Sequence, residues 1–169
     1  MINFLKKILS HEAGPFWQFV KYGVIGVMAT LVQTGVFYAL GVTCLKCLTA
    51  TDAFVTGCAK IGVTIPVAEV TDAVRALRFA AATAVGFILA NIFCWLMNRW
   101  FVFKPGKFRW YVELGMFFGT STIATVIALG LSSALINWAG LMTTLAVFIE
   151  VVVSFFVNFF VRKFFIFKG

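Results

Sequence analysis

Four long runs of apolar residues separate the polar parts of the chain, at about 16–42, 77–97, 112–138 and 141–161. A helix needs about 20 apolar residues to cross the hydrocarbon core of a bilayer. Lipid offers no partner to backbone N–H and C=O groups, so such runs span the membrane as helices. The pattern therefore predicts an all-α integral membrane protein with four transmembrane helices.

The shorter polar intervals define the remainder of one predicted membrane domain, residues 1–169. Residues 1–15 place apolar side chains opposite lysines on a short helical pattern, which is typical of a segment lying on an anionic membrane surface. Residues 43–76 form a long loop between the first two runs. Anionic lipids are thus expected partners of the N-terminal segment.

Composition agrees with the membrane assignment, since 62% of the residues are apolar and 12% are charged. Soluble domains carry about 25% charged residues. The net charge of +8 is unevenly distributed: a four-span arrangement places ten of the 14 Lys and Arg residues on the side of both termini. The other four lie in or beside the long loop, at Lys46, Lys60, Arg75 and Arg78. Because basic residues stay cytoplasmic, both termini are predicted to be cytoplasmic. Nucleic-acid binding is not expected, since no soluble domain is predicted that would present the positive charge.

Two similar segments follow the second and fourth apolar runs: NRWFVFK at 98–104 and RKFFIFK at 162–168. An offset of 64 residues matches Arg99 with Lys163. Both segments enclose aromatic and aliphatic residues between basic ones, a composition suited to the headgroup layer of a membrane.

A second offset extends this repetition to the first and third runs. At 92 residues it matches Lys21 with Glu113 and Thr30 with Thr122. Helices one and two thus resemble helices three and four, which predicts two parallel two-helix repeats related by an axis along the membrane normal. The two offsets differ by 28 residues, and the additional residues lie in the 43–76 loop.

The repeated basic ends suggest a binding site for a lipid phosphate. Arg presents a planar fork to phosphate oxygens and Lys a point charge. The residues assigned to this phosphate or headgroup site are Lys21, Asn98, Arg99, Arg162 and Lys163. The alternative is that these groups only anchor the helices at the membrane interface.

Polar residues inside the apolar runs indicate a second feature. An ionised group in the bilayer needs a partner or a wet cavity. The predicted intramembrane polar path consists of Gln33, Asn91, Glu150 and Asn158. The amides could instead be interhelical hydrogen-bond glue. Glu150 could serve as a proton site, a sugar-hydroxyl acceptor or a protonated structural carboxyl.

Two further groups have structural interpretations. Gly115 and Gly119 have the spacing that permits close helix contact. Cys58 is predicted to form a disulfide with Cys47 or Cys44, because the long loop is expected on the oxidising side of the membrane. Glu113, near the cytoplasmic end of its run, is expected to pair with Lys21.

The sequence shows no hydrolase triad, nucleotide-binding glycine loop or metal-ligand cluster. We therefore expect no enzymatic activity, no catalytic residue, no metal and no cofactor. Transport would then be passive, coupled to an ion, or driven by an enzyme that supplies the substrate.

Three segments together resemble the GtrA-like family: FVKYGVIGVMAT at 19–30, ANIFCWLMNRWFVFK at 90–104, and Phe159–Lys168. The resemblance implies a small four-span protein of the bacterial inner membrane, involved in cell-surface polysaccharide synthesis or O-antigen modification. It implies a flippase that moves a polyprenyl-phosphate-linked sugar, such as undecaprenyl-phosphate-glucose, to the outer leaflet. The long outer loop departs from the short one usual in that family.

Two alternatives of other classes remain open. One is a small multidrug or cation–proton antiporter with Glu150 as the shared site, and the other is a non-transporting membrane anchor for a glycosyltransferase. A glycosyltransferase is also an expected partner of the flippase. Four helices enclose little volume, so a homo-oligomer is expected.

Overall fold

The computed structural model of the protein describes residues 14–104, 107–139 and 143–167. Within these ranges the chain is helical and contains no strand. The helices, in chain order, are α1 (Pro15–Val42), α2 (Ala53–Lys60), α3 (Asp72–Met97), α4 (Trp110–Ala139) and α5 (Thr143–Val161). Two π-helical segments, π1 (Asn98–Val102) and π2 (Arg162–Ile166), continue α3 and α5. The predicted interfacial segment lies outside the described residues except for residues 14 and 15.

Three helical stretches of the described chain are long and apolar enough to cross a bilayer. They are Pro15–Val42, Asp72–Val102 and Trp110–Ala128. This finding confirms an all-helical membrane protein. The fourth predicted span coincides with the 19-residue helix α5, of which several side chains lie outside the described residues. The four-span count, the parallel repeats and the cytoplasmic termini remain predictions.

Many large apolar side chains of these helices are not covered by other parts of the same chain. On α1, for example, Val24, Val27 and Leu31 are 55%, 63% and 67% exposed. A water-soluble protein would bury such a surface, but lipid tails are as apolar as the side chains themselves. The exposure is therefore consistent with helices that face hydrocarbon.

The chain divides into two compact units. The prediction of a single membrane domain over residues 1–169 stays a prediction. The second unit, residues 26–94, contains most of α1, α2 and most of α3. In this unit α1 and α3 approach closely at Gly86, where an added Cβ would lie 3.0 Å from the backbone oxygen of Gln33. Ala82 and Ala90, one turn to either side, are 0% and 4% exposed. Small residues let membrane helices approach closely, so Gly86 marks the crossing of α1 and α3.

Gly115 and Gly119 of α4 have the spacing that permits a close helix contact. Both glycines are exposed on α4, and a Cβ at either would meet nothing within 4 Å in the described structure. The small-residue spacing on α4 therefore mediates no close contact within the described part of the chain, because the neighbouring helices pack on its other faces. A glycine pattern permits close approach but does not enforce it.

The 43–76 segment of the second unit is more ordered than the predicted loop. It contains α2, whose Phe54 ring stacks on Tyr38 of α1 with centroids 4.1 Å apart. An apolar cavity of about 630 Å³ lies between α1 and this segment. Cys44, Cys47 and Cys58 are free thiols in the structure, as is Cys94 of α3. The Cys58 disulfide therefore stays a prediction.

The first unit comprises residues 1–25 and 95–169. Aromatic rings from α1 and α5 form much of its interior. Phe19 lies 5.2 Å from Phe155 and 5.1 Å from Phe159, measured between ring centroids, and Tyr22 lies 5.3 Å from Phe159. Edge-to-face pairs of this kind contribute beyond the area they bury. They fix the start of α1 against the end of α5.

Candidate functional site

The two repeated segments adopt the same local structure. π1 and π2 begin 64 residues apart, and each is closed by an N–H that donates 2.9 Å to the carbonyl five positions earlier, Phe103 to Asn98 and Phe167 to Arg162. A π-helical turn carries one more residue than an α-turn and often occurs at functional positions. The sequence repetition is thus a structural repetition at the ends of α3 and α5.

The pattern of burial is also repeated. Trp100 and its counterpart Phe164 are 56% and 55% exposed, whereas Val102 and its counterpart Ile166 are both 0% exposed. Each segment therefore turns two consecutive aromatic residues outward and the next two side chains inward. Basic groups lie at the start of each segment, beside the outward-facing rings.

Arg99, in π1, is paired with Glu113 of α4. Its Nη1 donates to Oε2 of Glu113, whose side chain is 0% exposed while that of Arg99 is 27% exposed. The guanidinium also lies over the Trp95 ring, 5.8 Å from the centroid. A fully buried carboxylate is costly without a partner, so Arg99 is required to neutralise Glu113. The repeat alignment predicts Lys21 as a partner of Glu113, but it does not predict the Arg99–Glu113 pair.

Lys21, on α1, has a structural contact in the same unit. Its ammonium donates to the backbone oxygen of Phe101 at 2.5 Å. The last carbonyls of a helix lack intrahelical donors, and a lysine side chain can supply one. Lys21 therefore ties the start of α1 to the end of π1.

Arg162, the first residue of π2, is 5% exposed. It donates from Nη1 to the hydroxyl of Tyr22 at 2.9 Å and from Nη2 to the hydroxyl of Ser121 at 2.7 Å. Its guanidinium carbon lies 3.5 Å from the centroid of the Phe117 ring. Arg162 thus joins α1, α4 and π2 in the interior of the unit, and its assignment to the phosphate site stays a prediction.

The last two members of the predicted phosphate site differ from each other. Asn98 is 0% exposed at the start of π1. Lys163 is half-buried, and its ammonium lies 5.5 Å and 5.7 Å from the centroids of Phe159 and Phe164. Within the described residues Lys163 makes these ring contacts and no ion pair. Among the cations of the predicted phosphate site, Lys163 is the one whose ammonium contacts aromatic rings and makes no ion pair within the described residues.

The predicted polar path is only partly described. Nδ2 of Asn91 donates to the Phe87 oxygen at 2.9 Å in the second unit, and Nδ2 of Asn158 donates to the Ser154 oxygen at 3.0 Å in the first. Each of these bonds stays within one helix. Gln33 is half-buried on α1, and the side chain of Glu150 lies outside the described residues. The path remains a prediction.

Sequence reasoning missed several residues of these contacts. Tyr22 belongs to the FVKYGVIG segment but had no assigned role, and Ser121 was one hydroxyl in an apolar run. Trp95 stands four positions before Arg99, the spacing at which helical side chains meet, and this spacing could have identified the contact. No group of three or more His, Cys, Asp and Glu side chains suited to a metal occurs in the described ranges.

The long apolar helices and the charged groups at their ends define a small polytopic membrane protein. The chain belongs to the family described as GtrA/DPMS, transmembrane domain, whose sequence model matches residues 53–167. This confirms the GtrA-like resemblance, although the segment at 19–30 precedes the matched residues. No curated protein and no solved structure shows significant similarity to the chain. The family connects the protein with polysaccharide and lipid-linked sugar processes and is generally non-catalytic.

Proposed function

We propose that this protein flips a polyprenyl-phosphate-linked sugar from the inner to the outer leaflet of a bacterial inner membrane. Undecaprenyl-phosphate-glucose is the expected type of substrate, and the sugar would serve surface polysaccharide synthesis or O-antigen modification. The family supports the class of process. The observation that carries the proposal is the position of Lys163 beside the exposed ring of Phe164, in π2 at the end of α5. α5 is the predicted fourth span.

The contacts divide the five predicted ligands into two roles. Lys163 and the accessible part of Arg99 are available to a phosphate, because neither side chain is fully enclosed. Lys21 and Arg162 hold the ends of the helices in place, since Lys21 donates to a backbone oxygen and Arg162 to two hydroxyl groups inside the unit. Asn98 is fully buried at the start of π1. The aromatic residues around Lys163 suit the headgroup layer, where a lipid phosphate lies.

The proposal keeps the predicted topology of four spans with both termini cytoplasmic. In that topology π1 and π2 end at the inner leaflet, where a lipid-linked sugar is made. The exposed glycines of α4 leave a surface on which a second copy could pack, as the expected homo-oligomer requires. A glycosyltransferase partner would consume the sugar on the outer side or supply it on the inner side.

Equilibrium binding of a polyprenyl phosphate to the purified protein tests the role of Lys163. Replacing Lys163 by Gln removes the charge while keeping most of the reach. Losing one hydrogen bond to a charged group costs about 1.5–3 kcal/mol, or roughly ten- to a hundred-fold in affinity. The matched control is Lys107→Gln, which removes the same charge from an exposed position outside the helices.

Equal affinity of the two variants would remove the phosphate-binding role of Lys163. Transport that depends on Glu150 but tolerates Lys163→Gln would instead indicate the antiporter. If neither change affects transport while binding of a glycosyltransferase persists, the protein is an anchor.

A further inference from the structure

The indole N–H of Trp95 is a buried hydrogen-bond donor. Trp95 is 7% exposed, and its Nε1 atom has no hydrogen-bond partner among the described residues. Buried polar atoms are paired in the great majority of cases, and a buried Trp N–H usually finds an acceptor. A donor kept in this state reduces stability, so its position calls for a functional reason.

Trp95 lies beneath the most accessible part of the Arg99–Glu113 pair. The Arg99 guanidinium carbon is 5.8 Å from the Trp95 ring centroid, and 27% of the Arg99 side chain is accessible. Glu113 is fully buried and holds Nη1 of Arg99. One face of the indole is therefore covered by a cation that a ligand can reach, and this cation is paired with a buried carboxylate.

The chemistry of this pair favours an anion. A Trp N–H can only donate, and a guanidinium carries five donors and no acceptor. An incoming group that satisfies both must present several acceptor oxygens and a negative charge. A phosphate does so, whereas a sugar hydroxyl or a neutral lipid tail does not.

We propose that Trp95 is a further donor to the phosphate that Arg99 receives. This inference rests on the proposed function, in which that phosphate belongs to the lipid-linked sugar. The phosphate oxygens contact the accessible edge of Arg99 while Nη1 stays on Glu113. Binding displaces the side chains that enclose the in-plane indole N–H, and this N–H then donates to a phosphate oxygen. Trp95 precedes Arg99 by four residues, so this donor lies about 6 Å further along the helix axis, toward the membrane interior.

The replacement Trp95→Phe tests this role, because Phe keeps an aromatic ring beneath Arg99 and removes the indole N–H together with part of the ring system. The matched control is Trp110→Phe, since Trp110 is the neighbouring indole, 6.5 Å from Trp95 between ring centroids and 58% exposed. Affinity is measured by titration in detergent micelles with a polyprenyl phosphate, with the corresponding polyprenol, and with inorganic phosphate as competitor.

The affinity of Trp95→Phe for the polyprenyl phosphate is expected to fall about ten-fold or more, as for loss of one bond to a charged group. Its affinity for polyprenol should not change, and Trp110→Phe should bind like the parent. The melting temperature of Trp95→Phe is expected to fall somewhat, because the smaller ring leaves a cavity at a buried position. Competition by inorganic phosphate would show that the phosphate group alone is recognised, and lack of competition that the lipid must carry it.

The parent protein provides a test that does not depend on the folding of the Trp95→Phe variant. Its indole N–H resonances can be assigned by elimination with Phe replacements of the other tryptophans. The Trp95 resonance should move downfield with polyprenyl phosphate and stay in place with polyprenol. An unmoved resonance, or equal loss of polyprenol and polyprenyl phosphate binding in Trp95→Phe, would overturn the inference. If Lys163→Gln still weakens binding in that case, the proposed function survives.

Discussion

Phe103 and Phe167 stack on each other, with ring centroids 5.1 Å apart and planes inclined by 18°. They are the matching residues of the two repeated segments, and both are buried, at 3% and 5% exposure. The two repeated segments are thus in direct contact with each other at matching positions.

Replacing either phenylalanine by Leu should destabilise the protein, and the two effects should not add. Aromatic pairs contribute about 0.5–1.5 kcal/mol beyond the area they bury, and this is the coupling expected between the two replacements. Thermal unfolding of both single variants and the double variant in detergent measures it. The exposed pair Trp100 and Phe164 provides the control, for which no coupling is expected. Additive losses at Phe103 and Phe167 would show that the stacking has no energetic role.

Glu113→Gln should destabilise the protein substantially more than removal of an exposed carboxylate. Truncating one partner of a buried ion pair typically costs about 3–5 kcal/mol. The loss is expected to be smaller here, because Arg99 is partly exposed and the amide of the new Gln side chain can still accept a hydrogen bond. The control is Asp72→Asn, because the Arg75–Asp72 pair has side chains 42% and 89% exposed. Exposed pairs contribute about 0–1 kcal/mol. Equal melting temperatures for the two variants would contradict the assignment of Glu113 as a buried partner of Arg99.

Gly86→Ala should lower stability, since the new methyl group would lie 3.0 Å from a backbone oxygen of α1. Overpacking of this kind costs about 1–3 kcal/mol, because backbone yields less than a flexible side chain. Gly119→Ala is the matched control, as its methyl group would meet nothing within 4 Å. Unfolding of the two variants in the same detergent compares them. A larger loss at Gly119 would place the close helix contact on α4.

Hydropathy predicted the helices but not their contacts, and particular residues show why. Apolar runs identified the described spans, since span length depends only on bilayer thickness. The sequence also predicted the repeated segments at 98–104 and 162–168. It could not distinguish Gly86 from Gly119, because a helix that is apolar on every side carries no signal for the face that packs. The Arg99–Glu113 pair was missed for a related reason: it depends on how α4 is rotated against π1.

The predicted topology is tested by reporter fusions. A reporter at Gly169 should behave as cytoplasmic and one inserted near Gly62, next to α2, as periplasmic. The reason is that Lys and Arg remain on the cytoplasmic side of short loops. Moving the reporter from Gly62 to the loop near Lys107 should restore the cytoplasmic signal. A periplasmic signal at Gly169 would overturn the four-span arrangement and the placement of Lys163 at the inner leaflet.

Transport in proteoliposomes tests the central claim most directly. Vesicles are loaded with a polyprenyl-phosphate-linked sugar in the leaflet facing the basic ends of the helices, and sugar appearing on the opposite face is measured with an impermeant probe. The account predicts rapid appearance with the parent protein, a slower rate with Lys163→Gln, and a parental rate with Lys107→Gln. A parent protein that exposes no more sugar than protein-free vesicles would contradict the flippase.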